Sequence, residues 1–154
     1  MDHSIYAAEL FLEGYNCAQA ITVAFSDVTG LERDFSAQMA SSFGGGMGRM
    51  REVCGAVSGM LMVAGLLYGY DNPGEKDVNK KEHYQLVQYL AGQFRDEVGS
   101  IVCREILKNP PSDPNPSPRT AEYYAQRPCA RMVYTAAKIL DDYIAQHPFG
   151  EMYE

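Results

Sequence analysis

The chain has 154 residues and a mass of 17.1 kDa, 46% hydrophobic and 21% charged, which excludes a disordered or fibrous chain and suits one domain over residues 1–154. A net charge of −7 with 13 scattered lysines and arginines leaves no basic stripe for phosphates, so nucleic acid is not the expected partner. The opening MDHSIYAAEL lacks a basic segment before an apolar one, so a cytoplasmic, reducing setting is expected, in which the four cysteines serve catalysis or metal binding rather than a disulfide framework.

In chain order, Ser4 is the expected cap of a short amphipathic helix with Ile5, Ala8, Phe11 and Leu12 on one face, stopped by Gly14. Asn16 caps a second helix, in which Cys17, Ala20, Ile21, Ala24, Phe25 and Val28 recur at helical spacing until Thr29-Gly30. Ser36 opens a third segment, SAQMASSF, that runs into Gly44, Gly45, Gly46 and Gly48, where a regular helix is expensive and a turn is expected.

From Val53 to Tyr70 no charged residue occurs, and Gly55/Gly59 and Gly65/Gly69 form two small-xxx-small pairs, so a membrane span has to be weighed. Four glycines and a serine dilute the segment, and the other helices carry single apolar stripes that need a partner. A central buried helix packed on all sides is therefore the expectation.

Asp71-Asn72-Pro73-Gly74 marks a turn, and Glu75 to Val98 reads as a long helix with Val87, Leu90, Ala91, Phe94 and Val98 inward. Gly99 or Ser100 interrupts it, and Ser100 caps a short helix holding Cys103, Ile106 and Leu107. Asn109 to Arg119, NPPSDPNPSPR, holds five of the eight prolines and reads as an extended loop within the domain. Thr120 starts one or two helical turns, and Pro128 opens a last helix lined by Cys129, Val133, Ala136, Ala137, Leu140 and Ile144. No alternating β pattern of useful length is present, so the expected fold is all-α, a bundle of about five to seven helices around the glycine-rich apolar one.

Cys17, Cys54, Cys103 and Cys129 all fall in first helical turns, where free backbone N–H groups and the helix dipole favour a thiolate over the ordinary thiol of pKa about 8.5. Each also lies on the apolar side of its helix, so the four can meet at one end of the bundle. Gly44, Gly45 and Gly46 can form an anion-binding nest, and Arg49 and Arg51 add positive charge, which makes Cys54 the leading candidate for the acidic thiol. Gly55 and Gly59 are better explained by close helix packing. His3, His83 and His147 have no metal spacing and read as solvent-exposed, as do Asp141 and Asp142. There is no C-x-x-C, which counts against a zinc knuckle or a thioredoxin-like site, yet four converging thiolates could still hold zinc or an iron–sulfur cluster.

With GYNCAQA around Cys17, FGGGMGRMREVCGAVSG around Cys54, and Cys103 and Cys129 following, the chain resembles the redox-active family labelled C-GCAxxG-C-C across nearly its whole length. The resemblance implies a small helical protein with redox-active cysteines and supplies no substrate. The expected function is thiol–disulfide or electron-transfer chemistry with an unidentified redox partner. The alternatives are a module in which the same four cysteines ligate an iron–sulfur cluster or zinc, and a structural or adaptor bundle with buried cysteines. The close-packing glycines permit a homodimer.

Overall fold

The computed structural model describes residues 2–72 and 77–148, and all of their regular structure is helical apart from one isolated antiparallel bridge, Val53 to Val102. The helices are α1 (His3–Glu13), α2 (Cys17–Ala24), α3 (Ser26–Thr29), α4 (Arg33–Ala40), α5 (Gly44–Met47), α6 (Gly55–Tyr68), α7 (Asp77–Val98), α8 (Cys103–Ile106), α9 (Ala121–Gln126) and α10 (Cys129–Gln146). A 3-10 turn, Ser41–Phe43, joins α4 to α5. Three of these helices are single turns of four residues, α3, α5 and α8, which leaves seven longer ones. Pro73, Gly74 and the expected helix start at Glu75 lie outside the described residues.

The core is built by α6 packing against α2, α7 and α10, with α1 laid along α10 and α2. Ala56, Val57, Met60, Val63, Ala64 and Leu67 of α6 are buried, whereas Leu66 is half exposed at 48%, so the helix is central without being enclosed on all sides. Close approach to α2 depends on Gly59, where a β-carbon would lie 2.8 Å from the Ala18 carbonyl oxygen and 2.8 Å from Ile21 Cβ. Gly65 has nothing within 4 Å of that position, so only the first of the two glycine pairs brings helices together. Among the described residues no helix is long and apolar enough to cross a membrane.

Four expectations at and around α1 need correction: its cap, its inward face, and the exposure of His3 and of Asp141. Helix α1 is capped by Asp2, which accepts from the Ser4 and Ile5 amides, and its inward face is Ala7, Leu10 and Phe11, while Ile5 and Leu12 are each 53% exposed. His3 is buried rather than solvent-exposed. Its Nδ1 lies 2.6 Å from Asp141 Oδ1 and its Nε2 2.8 Å from Asp27 Oδ1, and its ring stacks on Phe25 at 4.2 Å. Burial alone lowers the His3 pKa, but hydrogen bonds to Asp141 and Asp27 outweigh it, and the imidazolium is favoured. This partnership pulls the polar start of α1 inward and turns the helix so that Ile5 and Leu12 face out. Asp141 is accordingly half-buried, not a solvated acid, whereas Asp142 stays exposed beside Lys138.

The other caps follow polar chemistry more closely. Asn16 accepts from the Gln19 amide at 2.9 Å and Gln19 Oε1 accepts from the Asn16 amide at 3.1 Å, a reciprocal capping box that fixes the start of α2. Thr120 caps α9. Helix α4 begins at Arg33, three residues before Ser36, which is buried inside it. Ser100 is not a cap; its hydroxyl accepts from the Val102 amide in the turn ahead of α8.

Candidate functional site

Cys17 is the first residue of α2, Cys103 of α8 and Cys129 of α10, and Cys54 is the N-cap of α6. The fold brings all four to the wall of one cavity of about 60 Å³. All four are buried, reduced thiols.

Two short backbone pairings hold the Cys54 and Cys103 segments side by side. The Cys54 amide donates to the Ile101 carbonyl at 2.7 Å and the Cys103 amide to the Glu52 carbonyl at 2.6 Å, on either side of the Val53–Val102 bridge. The glycine turn fits beneath them. Gly46 has φ +71°, and a β-carbon there would lie 2.7 Å from the Glu52 amide nitrogen and 2.8 Å from Cys103 Cβ, so only glycine lets the turn sit this close. Gly45 also lines the cavity, and Gly44 packs against Asn16 at its rim.

The electrostatics differ from the sequence expectation at Cys54. The Ala56 and Val57 amides at the helix start act to lower its pKa, but burial outweighs them and pushes it up to about 12. Arg49 does not reach it: its Nε donates to the Asp113 carbonyl at 2.8 Å and its Nη1 to Ser117 Oγ at 3.0 Å. Arg51 is buried and holds its Nη1 3.7 Å from Cys103 Sγ, not at Cys54. Burial still raises the Cys103 pKa, with Arg51 acting against it.

Cys129 is the acidic thiol of the set. A hydrogen bond from the Cys17 thiol lowers its pKa, against burial, and Arg127, Arg119 and Arg51 add attraction for the thiolate. Cys17 shifts the opposite way, because donating to Cys129 and being buried both favour its protonated form. The two therefore act as one titrating pair with the charge on Cys129.

Arg119, Arg127 and Tyr123 line the same cavity and were not singled out in the sequence. The local signals were there: Arg127 immediately precedes Pro128-Cys129, and Arg119 ends the proline loop. The Arg119 guanidinium sits 4.6 Å from the Phe11 ring centroid and donates to the carbonyls of Phe11 and Tyr15, each at 3.3 Å. Arg127 lies 5.4 Å over Tyr123. The loop from Asn109 to Arg119 is pinned across this end of the bundle by Arg51 Nε donating to the Pro111 carbonyl at 3.0 Å, together with the Arg49 contacts.

Among the described residues, no three His, Cys, Asp or Glu side chains are grouped as a metal ion requires, so the four thiols as arranged do not fit a zinc or iron–sulfur site. Polarised thiols beside cationic side chains suit nucleophilic sulfur chemistry. Searches of curated proteins and of solved structures find no match. The sequence pattern of the family described as "Putative redox-active protein (C_GCAxxG_C_C)" matches residues 15–143, a span that takes in all four cavity cysteines and the glycine turn. The chain belongs to that redox-active cysteine family, as its four cysteines and the motif Cys54-Gly55-Ala56 with Gly59 had suggested.

Proposed function

We propose that the protein exchanges two electrons with disulfides through Cys17 and Cys129. The observation that carries this reading is the placement of Cys17 and Cys129, each the first residue of its helix, on the wall of one cavity with Arg51, Arg119 and Arg127, where their pKa values shift in opposite directions. Cys129, as thiolate, attacks one sulfur of a substrate disulfide, forming a mixed disulfide and releasing the first thiolate. Cys17 then gives up its proton to that leaving thiolate and attacks Cys129 Sγ. The Cys17–Cys129 disulfide forms, the second substrate thiolate leaves and takes the Cys129 proton from solvent. Two thiols are oxidised and one disulfide is reduced to two thiols. Run in reverse, the same steps oxidise a dithiol.

The glycine turn and Arg51 support the site without joining the exchange. The glycine turn packs on Cys103, while Arg51 and Arg49 pin the proline loop at this end of the bundle, and the pair itself is buried away from bulk water. Cys54, held as the neutral thiol, is a wall of the site rather than its nucleophile.

Peptide mapping after limited oxidation of the reduced protein by one equivalent of a small disulfide tests this. The expected product links the peptide holding Cys17 to that holding Cys129, with Cys54 and Cys103 still alkylatable. A Cys54–Cys103 link as the main product, or none, contradicts the proposal.

A further inference from the structure

Beside the cysteine cavity, sharing several of its lining residues, lies an outer vestibule of about 290 Å³, and four arginines, Arg49, Arg51, Arg119 and Arg127, line it. The last three, with Tyr123, also line the inner cavity, so one set of charges faces both spaces. Among the described residues, no acidic side chain lines either space. In a chain of net charge −7, such a concentration of positive charge is not an average surface.

How these arginines are held matters as much as their number. Among the described residues, no ion pair involves Arg51, Arg119 or Arg127, and Arg49 has only Asp113 at 3.9 Å. The hydrogen bonds of Arg49, Arg51 and Arg119 run instead to the neutral carbonyls of Pro111, Phe11, Tyr15 and Asp113, to the Ser117 and Tyr124 hydroxyls and to the Cys103 sulfur. Carbonyls orient a guanidinium without supplying counter-charge, so the single Cys129 thiolate faces three guanidinium groups and leaves most of their positive charge unmatched. Arg51 is only 4% exposed and takes a left-handed backbone, φ 62°, a conformation costly for a non-glycine residue. A buried, conformationally strained cation with no carboxylate partner is poorly explained by stability alone.

We infer that the vestibule binds the carboxylates of a small acidic disulfide or thiol and presents its sulfur to Cys129. This rests on the exchange reaction proposed above and names its substrate class. One carboxylate fits the fork of a guanidinium, and Arg51, Arg119 and Arg127 reach from the vestibule to the cavity, so the carboxylates dock outside while the sulfur reaches inward. The chemistry stays as written: Cys129 takes one half of the disulfide as a mixed disulfide, and the other half leaves as an acidic thiol.

The test compares three disulfides of similar size, 3,3′-dithiodipropionate, 2-hydroxyethyl disulfide and cystamine, which carry negative, zero and positive charge. Each rate is divided by that of a free small thiol at the same pH, which removes intrinsic reactivity. The dianion is expected to be favoured over cystamine by at least about tenfold at low salt, and most of that ratio should disappear when the ionic strength is raised to about 0.3 M. Arg119→Gln and Arg127→Gln should each lower the ratio about threefold or more, with unfolding temperature checked in parallel; the salt series needs no variant. Equal normalised rates for the three, or a preference for cystamine, overturn the inference and leave the exchange reaction standing. If none of the three forms a mixed disulfide on Cys129, both the inference and the exchange reaction fall.

Discussion

Cys129→Ser is expected to lower the rate of reaction with a small disulfide at pH 7 by at least about tenfold. Of the remaining thiols, Cys54 and Cys103 are raised by burial, and Cys17, although it loses the contribution of Cys129 in this variant, is still raised by its own burial. An ordinary thiol of pKa about 8.5 is only about 3% ionised at pH 7, and these three are ionised less than that. No second thiol can therefore take over the attack. Cys17→Ser should behave differently, because a serine hydroxyl still donates to the Cys129 thiolate but cannot resolve the intermediate. The variant should attack at a rate near that of the native protein, release one thiol equivalent instead of two and stop at the mixed disulfide. Cys17→Ala removes the donor as well, so it should also slow the attack. Counting released thiols by absorbance and weighing the intact protein distinguish the three. A Cys129→Ser protein that keeps the native rate, or a Cys17→Ser protein that still releases two equivalents, contradicts the assigned roles.

Gly59→Leu is expected to cost about 2–3 kcal/mol of stability, since overpacking that cannot relax costs roughly 1–3 kcal/mol and the largest values come where backbone is hit. The β-carbon at 59 would press on the Ala18 carbonyl and Ile21, so α6 and α2 must separate. For a chain of this size that corresponds to a Tm lower by roughly 5–10 °C. Gly65→Ala in the same helix is the matched comparison: nothing lies within 4 Å of its added carbon, and a helix-interior alanine gains about 0.5–1 kcal/mol over glycine. Thermal unfolding followed by circular dichroism reads both. If Gly59→Leu melts no lower than the native protein, the close α2–α6 contact is not as described. Because Cys17 opens α2, this variant should also slow the disulfide reaction.

Much of this architecture was legible from local signals. The helix after Asn16, the apolar run after Cys54 and the stripe after Pro128 each follow from a cap and a 3.6-residue period, and the cysteines at their starts follow with them. The inward face of α1 was not legible, because it is turned by His3 meeting Asp27 and Asp141, the latter 138 residues away. Periodicity counts apolar residues and is blind to a buried imidazolium with distant partners. The same limit applied to the acidic cysteine. A helix start and nearby arginines in sequence favoured Cys54, yet Arg49 turns to the proline loop, Arg51 turns to Cys103, and burial then decides the Cys54 pKa. Cys129 gains its thiolate from Cys17, Arg127, Arg119 and Arg51, and of these only Arg127 is near it in sequence.

The central claim, that Cys129 carries the reactive thiolate while Cys54 does not, is read most directly from alkylation of the native protein across pH, with the label on each cysteine counted by peptide mass spectrometry. A thiol reacts as its thiolate, so labelling rises with pH through the pKa of each group. The account predicts that Cys129 labels first, with a midpoint below the ordinary thiol value of about 8.5, and that Cys54 labels only at far higher pH because its pKa lies at about 12. Cys54 labelling ahead of Cys129, or a Cys129 midpoint at or above the ordinary value, would contradict it.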